Sequence, residues 1–556
     1  MFSVFLLFLA ALTSSVSPTT TYRSSLVGQT VSGITGAVSA KTSYGFFLSG
    51  NPVNDTRVPN GIYVYGSAAV KQVSVGDSVS LGGKVAEYRS ESNYLYLTEI
   101  SSPSSIKVLS SNDTVDPIVI RIDRVPPTQH LSSLDVGADG WLSVPNNQSL
   151  LSISNPSLQP DVYGMDFWQS LDGQLVQINN PVSVNFENSY GEFWVYGNWN
   201  VTGLNGRGGL TITFGPDGIP DANPEVVIIG SPTDGTENSS VAVGVQLSDI
   251  VGVVTYQYGF YYVLPLTAPT VIATRDYDVP PSSILSETDS CIITFEIQNN
   301  SGADDDGVVD ANLTLSTLAS AIADESGLTY EFVDINPEDG QDGGQPGGNI
   351  RQAYLYNADK LKLVSGIPVG TSLESLEVCA DSVGFPTLNL NPGRIDPTND
   401  AWKDSRKPLV AEWATSSGAK MYTINVHLSS KGGSTSTQGD PRPPVNSPIE
   451  QRTSQVGVTL SFIKAILDID NSANIVIAGD FNEYVQTHID EVAGIADVEQ
   501  YTYVYNQNMQ QLDHIFISSA IVKRGVEAEH MHVNNWSSYD SRTSDHDPTV
   551  GKIRLC

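Results

Sequence analysis

Two textures divide this chain, and their order limits what it can fold into. From Leu26 to Pro265, apolar and polar residues alternate in short runs punctuated by Gly, Asn and Pro, the period of half-buried strands. After residue 290 such runs alternate with stretches of helical spacing, at Leu313–Ala323 and Gln451–Asp468. At 556 residues the chain exceeds what one core supports, and a β-only half followed by a mixed half calls for separate domains.

Within the first half, Val31–Val38, Tyr44–Leu48, Gly61–Tyr65, Asp77–Glu87 and Tyr94–Glu99 read as the strands of one small unit, residues 24–112. These runs resemble the small OB-type β-barrel that precedes many secreted nucleases. Tyr44, Phe46, Tyr63 and Tyr65 fall at alternate positions, where core packing is the first account and stacking on a base or sugar the second. A second all-β region spans residues 116–265; its Trp168, Trp194 and Trp199 read as packed aromatics before they read as a binding face. Residues 266–290, with Pro269, Pro280 and Pro281 among Ser and Thr, read as a linker, and 291–556 as a mixed α/β domain.

Residues 1–17 open with the apolar run MFSVFLLFLAAL and continue in small polar residues, which fits a cleaved secretory signal although the first basic residue is Arg23. Eight Asn-x-Ser/Thr acceptors, from Asn54 to Asn535, suit a secreted glycoprotein. The net charge of -33 argues against a general polyanion-binding surface. Any phosphate-handling site is therefore a local basic pocket on an acidic body, for which Arg351, Arg394, Arg406, Lys407 and Lys431 are the candidates.

Chemistry concentrates in the last third. In NIVIAGDFNEY, Ile475–Ala478 reads as a strand buried on both faces, and Gly479 permits a sharp turn that leaves Asp480 and Asn482 on one side. An Asx turn is the plain alternative. Asn425 and His427 share a face in YTINVHLSS by the period of two; Leu512-Asp513-His514 and Ser544-Asp545-His546-Asp547-Pro548 follow, and Glu296 precedes them in CIITFEIQNN.

The order NxH, GDFN, LDH, SDHDP resembles the endonuclease/exonuclease/phosphatase superfamily with its DNase I-like fold, and within it the secreted extracellular-nuclease branch. The resemblance implies a four-layer α/β sandwich and a Mg²⁺-dependent phosphodiesterase, with Mn²⁺ or Ca²⁺ as alternative ions. By it Glu296 ligates the metal with Asp545 nearby, and Asp480 orients or deprotonates the attacking water. Asn482 hydrogen-bonds the phosphate, His427 and His546 stabilise its charge, and Asp513 fixes the His546 tautomer. Asn425, Arg351, Arg406 and Lys431 complete the phosphate-binding set, and His514, facing away from Asp513, is structural. The resemblance also implies neighbouring first and last strands, hence a Cys291–Cys556 disulfide with Cys379 free.

The pattern breaks at one place. The family's domain opens with an Asn-bearing strand, a helix and a second strand ending in the metal-binding Glu, a unit of roughly 30 residues or more. Here CIITF runs directly into Glu296, so the sandwich reads as truncated at its first strand-helix-strand unit. The partner implied is extracellular DNA or RNA, with a glycan or cell surface as a possible contact of the β-regions. The alternatives are a phosphatase or phospholipid phosphodiesterase of the same fold, and a surface- or glycan-binding protein with a degenerate catalytic domain.

Overall fold

The alternating runs of the first unit close into a five-stranded barrel. Strands β1 (Thr30–Lys41), β2 (Gly45–Ser49), β3 (Gly61–Tyr65), β4 (Ser78–Tyr88) and β5 (Leu97–Ser110) are ordered β1-β2-β3-β5-β4 in a computed structural model. It describes residues 19–556 except 52, 136–147, 215–218, 276–278, 287–291, 485–494, 496, 537–541 and 556. The proposed signal segment and both Cys291 and Cys556 thus lie outside the described residues. Val38, Phe46, Leu48, Val64 and Ile100 fill the barrel, while Phe47 and Ala40 face outward into a second cluster with Trp194 and Tyr262. The four aromatics therefore divide: Phe46 is core, Tyr63 is partly buried, and Tyr44 and Tyr65 are 67% and 49% exposed.

A nine-stranded sheet follows, and Trp168, Phe167, Trp199 and Tyr261 pack in its core. Its edge strand, Val271–Ala273, pairs with Gln246–Leu247, so the stretch read as linker begins inside the sheet. Apolar Val271 and Ile272 extend the sheet inside a stretch whose Pro, Ser and Thr read as linker.

The last region is layered. Strands β6 (Ile292–Ile297), β7 (Glu331–Asp334) and β8 (Arg351–Tyr356) form a three-stranded sheet in the order β6-β8-β7. Against it lies the sheet of β9 (Leu361–Leu363), β10 (Leu409–Thr415), β11 (Lys420–His427), β12 (Ile475–Asp480) and β13 (Asp513–Ile517), with Gly393–Arg394 paired to β10. Tyr354, Trp413, Leu409 and Ile292 pack between the two sheets. Helix α1 (Asn312–Ser326) covers the first sheet through Leu315. Helix α2 (Ile449–Ile469) covers the second through Phe462 and Ile466 and supplies the crossover that the parallel pair β11–β12 requires. The hairpin of β14 (Val526–His530) and β15 (Thr549–Ile553) joins the inner layer through Ile553. Among the described residues, β6 and β15 each have a strand neighbour on one edge only.

Two segments of this region are seated in the nine-stranded one. Asp440 accepts hydrogen bonds from the Ser152 N–H at 2.7 Å and hydroxyl at 2.6 Å, and Arg442, fully buried, pairs with Asp135 through Nε at 2.8 Å. Asn223 Nδ2 donates to Asn508 Oδ1 at 2.9 Å, and Met509 lies against Gly209, where a Cβ would collide with it. Among the described residues no helix is long and apolar enough to cross a membrane.

Candidate active site

Strand register assembles the site. β11 runs parallel to β12 with His427 opposite Asp480, and β13 runs antiparallel to β12 with Asp513 opposite Asp480. Three candidate side chains therefore stand in one row across three adjacent strand ends. The row depends on Gly479: at its φ of +137° a Cβ would sit 2.0 Å from the Val426 carbonyl oxygen, so β12 approaches β11 this closely only with glycine. The expected sharp turn comes three residues later, where Asn482 has a φ of 49°. Its N–H donates to Asp480 Oδ1 at 2.6 Å, and its Nδ2 to Asp480 Oδ2 at 2.9 Å and the Leu428 carbonyl at 3.1 Å. Asn482 thus fixes Asp480 through an Asx turn.

The facing sheet delivers Glu296 from β6. Its Oε2 lies 2.8 Å from His427 Nδ1 and its Oε1 2.7 Å from Arg406 Nε, while Arg406 also touches His427 Nε2. His427 Nε2 stands 3.4 Å from Asp480 Oδ2. From the other side His546 places Nδ1 2.5 Å from Asp513 Oδ2, with the Tyr503 ring 4.7 Å from its own.

Charge follows from these contacts. Burial raises the Asp480 carboxyl, His427 pulls it back, and Asp513 raises it further. Burial would lower His546, but the Asp513 carboxylate outweighs that and raises the imidazole to about 9. Burial would raise Asp513 and Glu296 too; His546 holds the first below the usual carboxylate range, and His427 with Arg406 the second. At neutral pH the site presents an imidazolium at His546, a guanidinium at Arg406, and between them a buried carboxyl poised to take a proton.

The structure brings together Glu296, Arg406, His427, Asp480, Asn482, Asp513 and His546. Others are employed elsewhere. Asn425 is buried and ties the two sheets, donating to the Ala353 carbonyl at 3.0 Å and the Phe295 carbonyl at 3.2 Å. Arg351 is wholly buried, with its guanidinium on the Val309 carbonyl and 3.7 Å from Asp334, and so is not offered to a phosphate. Arg394 and Lys407 pair with Asp342 at 3.1 and 2.7 Å. Lys431 is held by Asn446 at 2.6 Å and Glu483 at 3.0 Å. Asp545 is exposed, with no hydrogen bond or ion pair among the described residues, and His514 is buried with Nε2 2.9 Å from the Glu483 carbonyl. Cys379 is a free, exposed cysteine. Of the eight sequons, Asn299 and Asn535 are buried and spend their Nδ2 on backbone carbonyls, which leaves neither as an acceptor.

Sequence reasoning missed the supports. Glu483, the residue after Asn482, also pairs with Arg452 at 2.9 Å, which anchors the loop beyond β12. Asp547 accepts from the N–H groups of Val533, Asn534 and Asn535 and so fixes the loop that presents His546. Its place in SDHDP was the available signal; Tyr503 had none.

Carboxylate oxygens of the Glu296 kind suit Mg²⁺, yet both are engaged by Arg406 and His427. Among the described residues no group of three or more His, Cys, Asp or Glu is arranged to hold a metal. As arranged, the site does not fit the ion. A polar cavity of about 530 Å³ opens beside Arg406, lined by Gly344, Gln345, Asp404, Ser429, Ser430 and Gln451 among others.

Residues 119–276 match the family described as a domain of unknown function, DUF8508. No curated protein is matched. Among solved structures the chain is similar to D. rerio TDP2 complexed with a single-strand DNA product, at 16% identity over 47% of this chain and 83% of that one, TM-score 0.25. It is similar also to the human Nocturnin catalytic domain with bound sulfate, at 15% identity, 47% and 80% coverage and TM-score 0.28. A third is the mannosyl-6-phosphatase of Bacteroides thetaiotaomicron, at 13% identity, 43% and 82% coverage and TM-score 0.25.

Proposed function

We propose that residues 291–556 form an endonuclease/exonuclease/phosphatase-type domain that hydrolyses phosphoesters, with nucleic acid the first substrate to test. One observation carries the reading: the row His427, Asp480, Asp513 across three strand ends, flanked by His546 on Asp513 and by Arg406 on Glu296. Hydrolysis requires a water deprotonated opposite the leaving oxygen and donors on the phosphoryl oxygens. Asp480 takes the proton from water, its carboxyl raised by burial and held by Asn482. His546, kept protonated by Asp513, and Arg406 donate to the phosphoryl oxygens as charge builds on them.

The supporting features of secretion are the apolar N-terminal run and the exposed acceptors Asn54, Asn112, Asn200 and Asn312. A second reading, hydrolysis of a small phosphoester, is favoured by the net charge of -33, which opposes long polyanions, and by the polar cavity at Arg406. Plasmid DNA, RNA and small phosphomonoesters, each assayed with wild type and Asp480→Asn, test both. Asp480-dependent turnover of DNA or RNA supports the first and of monoesters alone the second, while turnover of none returns the chain to a binding role.

A further inference from the structure

A second group of buried oxygens lies far along the chain from the catalytic motifs, at Asp221-Ala222-Asn223-Pro224-Glu225 in the nine-stranded region. Asp221, Asn223 and Glu225 are all fully buried, and Ala222 and Asn223 both take a φ of 51°, so the chain winds tightly between the two carboxylates. Both carboxylates reach one hydroxyl. Asp221 Oδ2 is 2.8 Å and Glu225 Oε1 3.2 Å from Thr202 Oγ1, and the Thr128 carbonyl oxygen is 3.3 Å from it.

The group lacks positive charge. Thr202 has one hydroxyl proton for three acceptors. The other donors are the Thr213 N–H at 3.0 Å, the Thr213 hydroxyl at 2.6 Å and the Asn223 N–H, all to Asp221, and the Thr202 N–H at 2.9 Å and the residue's own N–H to Glu225. No Lys or Arg pairs with either carboxylate among the described residues. Independently, Glu225 Oε2, on the carboxyl that faces Thr202, and Asn223 Oδ1 are buried atoms with no hydrogen-bond partner there. A buried carboxylate either takes up a proton or needs a cation, because desolvation is not recovered by hydroxyls alone.

We propose that this group binds one divalent cation of the calcium type, ligated by Asp221, Glu225, the Thr202 hydroxyl oxygen and the Thr128 carbonyl. Calcium accepts carboxylate, hydroxyl and carbonyl oxygens at about 2.3–2.6 Å in flexible geometry, and oxygens sharing such an ion stand about 3 Å apart, the spacing found around Thr202 Oγ1. The absence of His and Cys from the set argues against zinc. The proposal is independent of the catalytic reading, yet it touches the same frame. Asn223 donates to Asn508 and the Ala222 carbonyl accepts from Gln507 Nε2 at 3.3 Å, and the strand Asn508–Gln510 leads to Asp513. An ion here steadies the loop on which that strand rests.

Equilibrium dialysis with calcium, and terbium luminescence, test this on the full chain carrying Glu296→Gln, which removes an active-site carboxylate. Trp168 donates its indole N–H to the Pro224 carbonyl at 3.2 Å and would sensitise terbium. We expect one Ca²⁺ per chain, a calcium-dependent rise in thermal midpoint, and loss of the terbium signal on adding Glu225→Gln or Asp221→Asn. Thr202→Val, which changes no charge, should weaken binding at least tenfold, so the test survives a misfolded carboxylate variant. No calcium bound to the Glu296→Gln protein, or binding undiminished in Glu225→Gln, overturns the proposal. So does a thermal midpoint that responds to pH and not to calcium, the mark of two carboxyls sharing a proton.

Discussion

His546 Nδ1 lies 2.5 Å from Asp513 Oδ2, and the pair sets the protonation of the site. The imidazole is raised from an ordinary 6.5 to about 9, so its contribution to stability is complete below about 6.5 and is lost as pH rises through about 9. Asp513 is lowered, so its contribution is present above the usual carboxylate range and is lost as pH falls through its depressed value. Hydrolysis that uses the imidazolium should therefore keep its rate to about pH 9. Asp513→Asn should bring the alkaline limb of the pH–rate profile down toward 6.5, and a limb that does not move would remove His546 from the mechanism.

Asp480→Asn keeps the shape of the side chain and removes the proton acceptor. We expect kcat to fall on the order of 10²–10⁴-fold with KM and the thermal midpoint little changed. His546→Asn should cost a similar factor. Retained activity in Asp480→Asn would place the base elsewhere.

At Gly479 the added Cβ of alanine meets the Val426 carbonyl at 2.0 Å in a backbone conformation that alanine avoids. Gly479→Ala should destabilise the fold by on the order of 3 kcal/mol or more in urea titration, and part His427 from Asp480. Gly457, in α2 with open space around it, is the control: Gly457→Ala should be neutral or stabilising.

These residues show why some of the site was legible and some was not. Asp480, His427 and Asp513 sit at the ends of apolar runs, and the period of two fixes which side of the strand each occupies. Their being opposite one another is a matter of register, which the motifs suggested only through their order. Arg351 and Arg394 were misread because a charge in a strand looks solvent-facing in sequence, whereas Asp334 and Asp342, distant along the chain, make burial possible. The seating of Asn508 and Met509 against Asn223 and Gly209 left no local signal, since the strand that carries them is only three residues long and their partners are ordinary loop residues.

That seating makes the regions interdependent. Arg442 is fully buried and its ion-pair partner, Asp135, comes from the other region. Asp135→Ala leaves the guanidinium uncompensated and should cost about 3–5 kcal/mol, whereas Asp135→Leu with Arg442→Met should recover much of it. Residues 279–556 expressed alone should be unstable for the same reason; a cooperative unfolding transition from that fragment equal to the full chain's would contradict it.

Arg406 stands where a cation would be needed. Glu296 is held below the usual carboxylate range by His427 and Arg406, so a divalent ion reaching it must first displace one of them. Affinity for Mg²⁺ at this carboxylate should accordingly be weak in the wild type. Removing the guanidinium in Arg406→Ala leaves a buried carboxylate short of positive charge, and the ion then answers that deficit without competition. Calorimetric titration with Mg²⁺ should show half-saturation falling on the order of tenfold in Arg406→Ala, an effect absent when Glu296→Gln is added. If instead the wild type binds Mg²⁺ tightly and Arg406→Ala weakens it, Arg406 orients Glu296 for the metal rather than standing in for it.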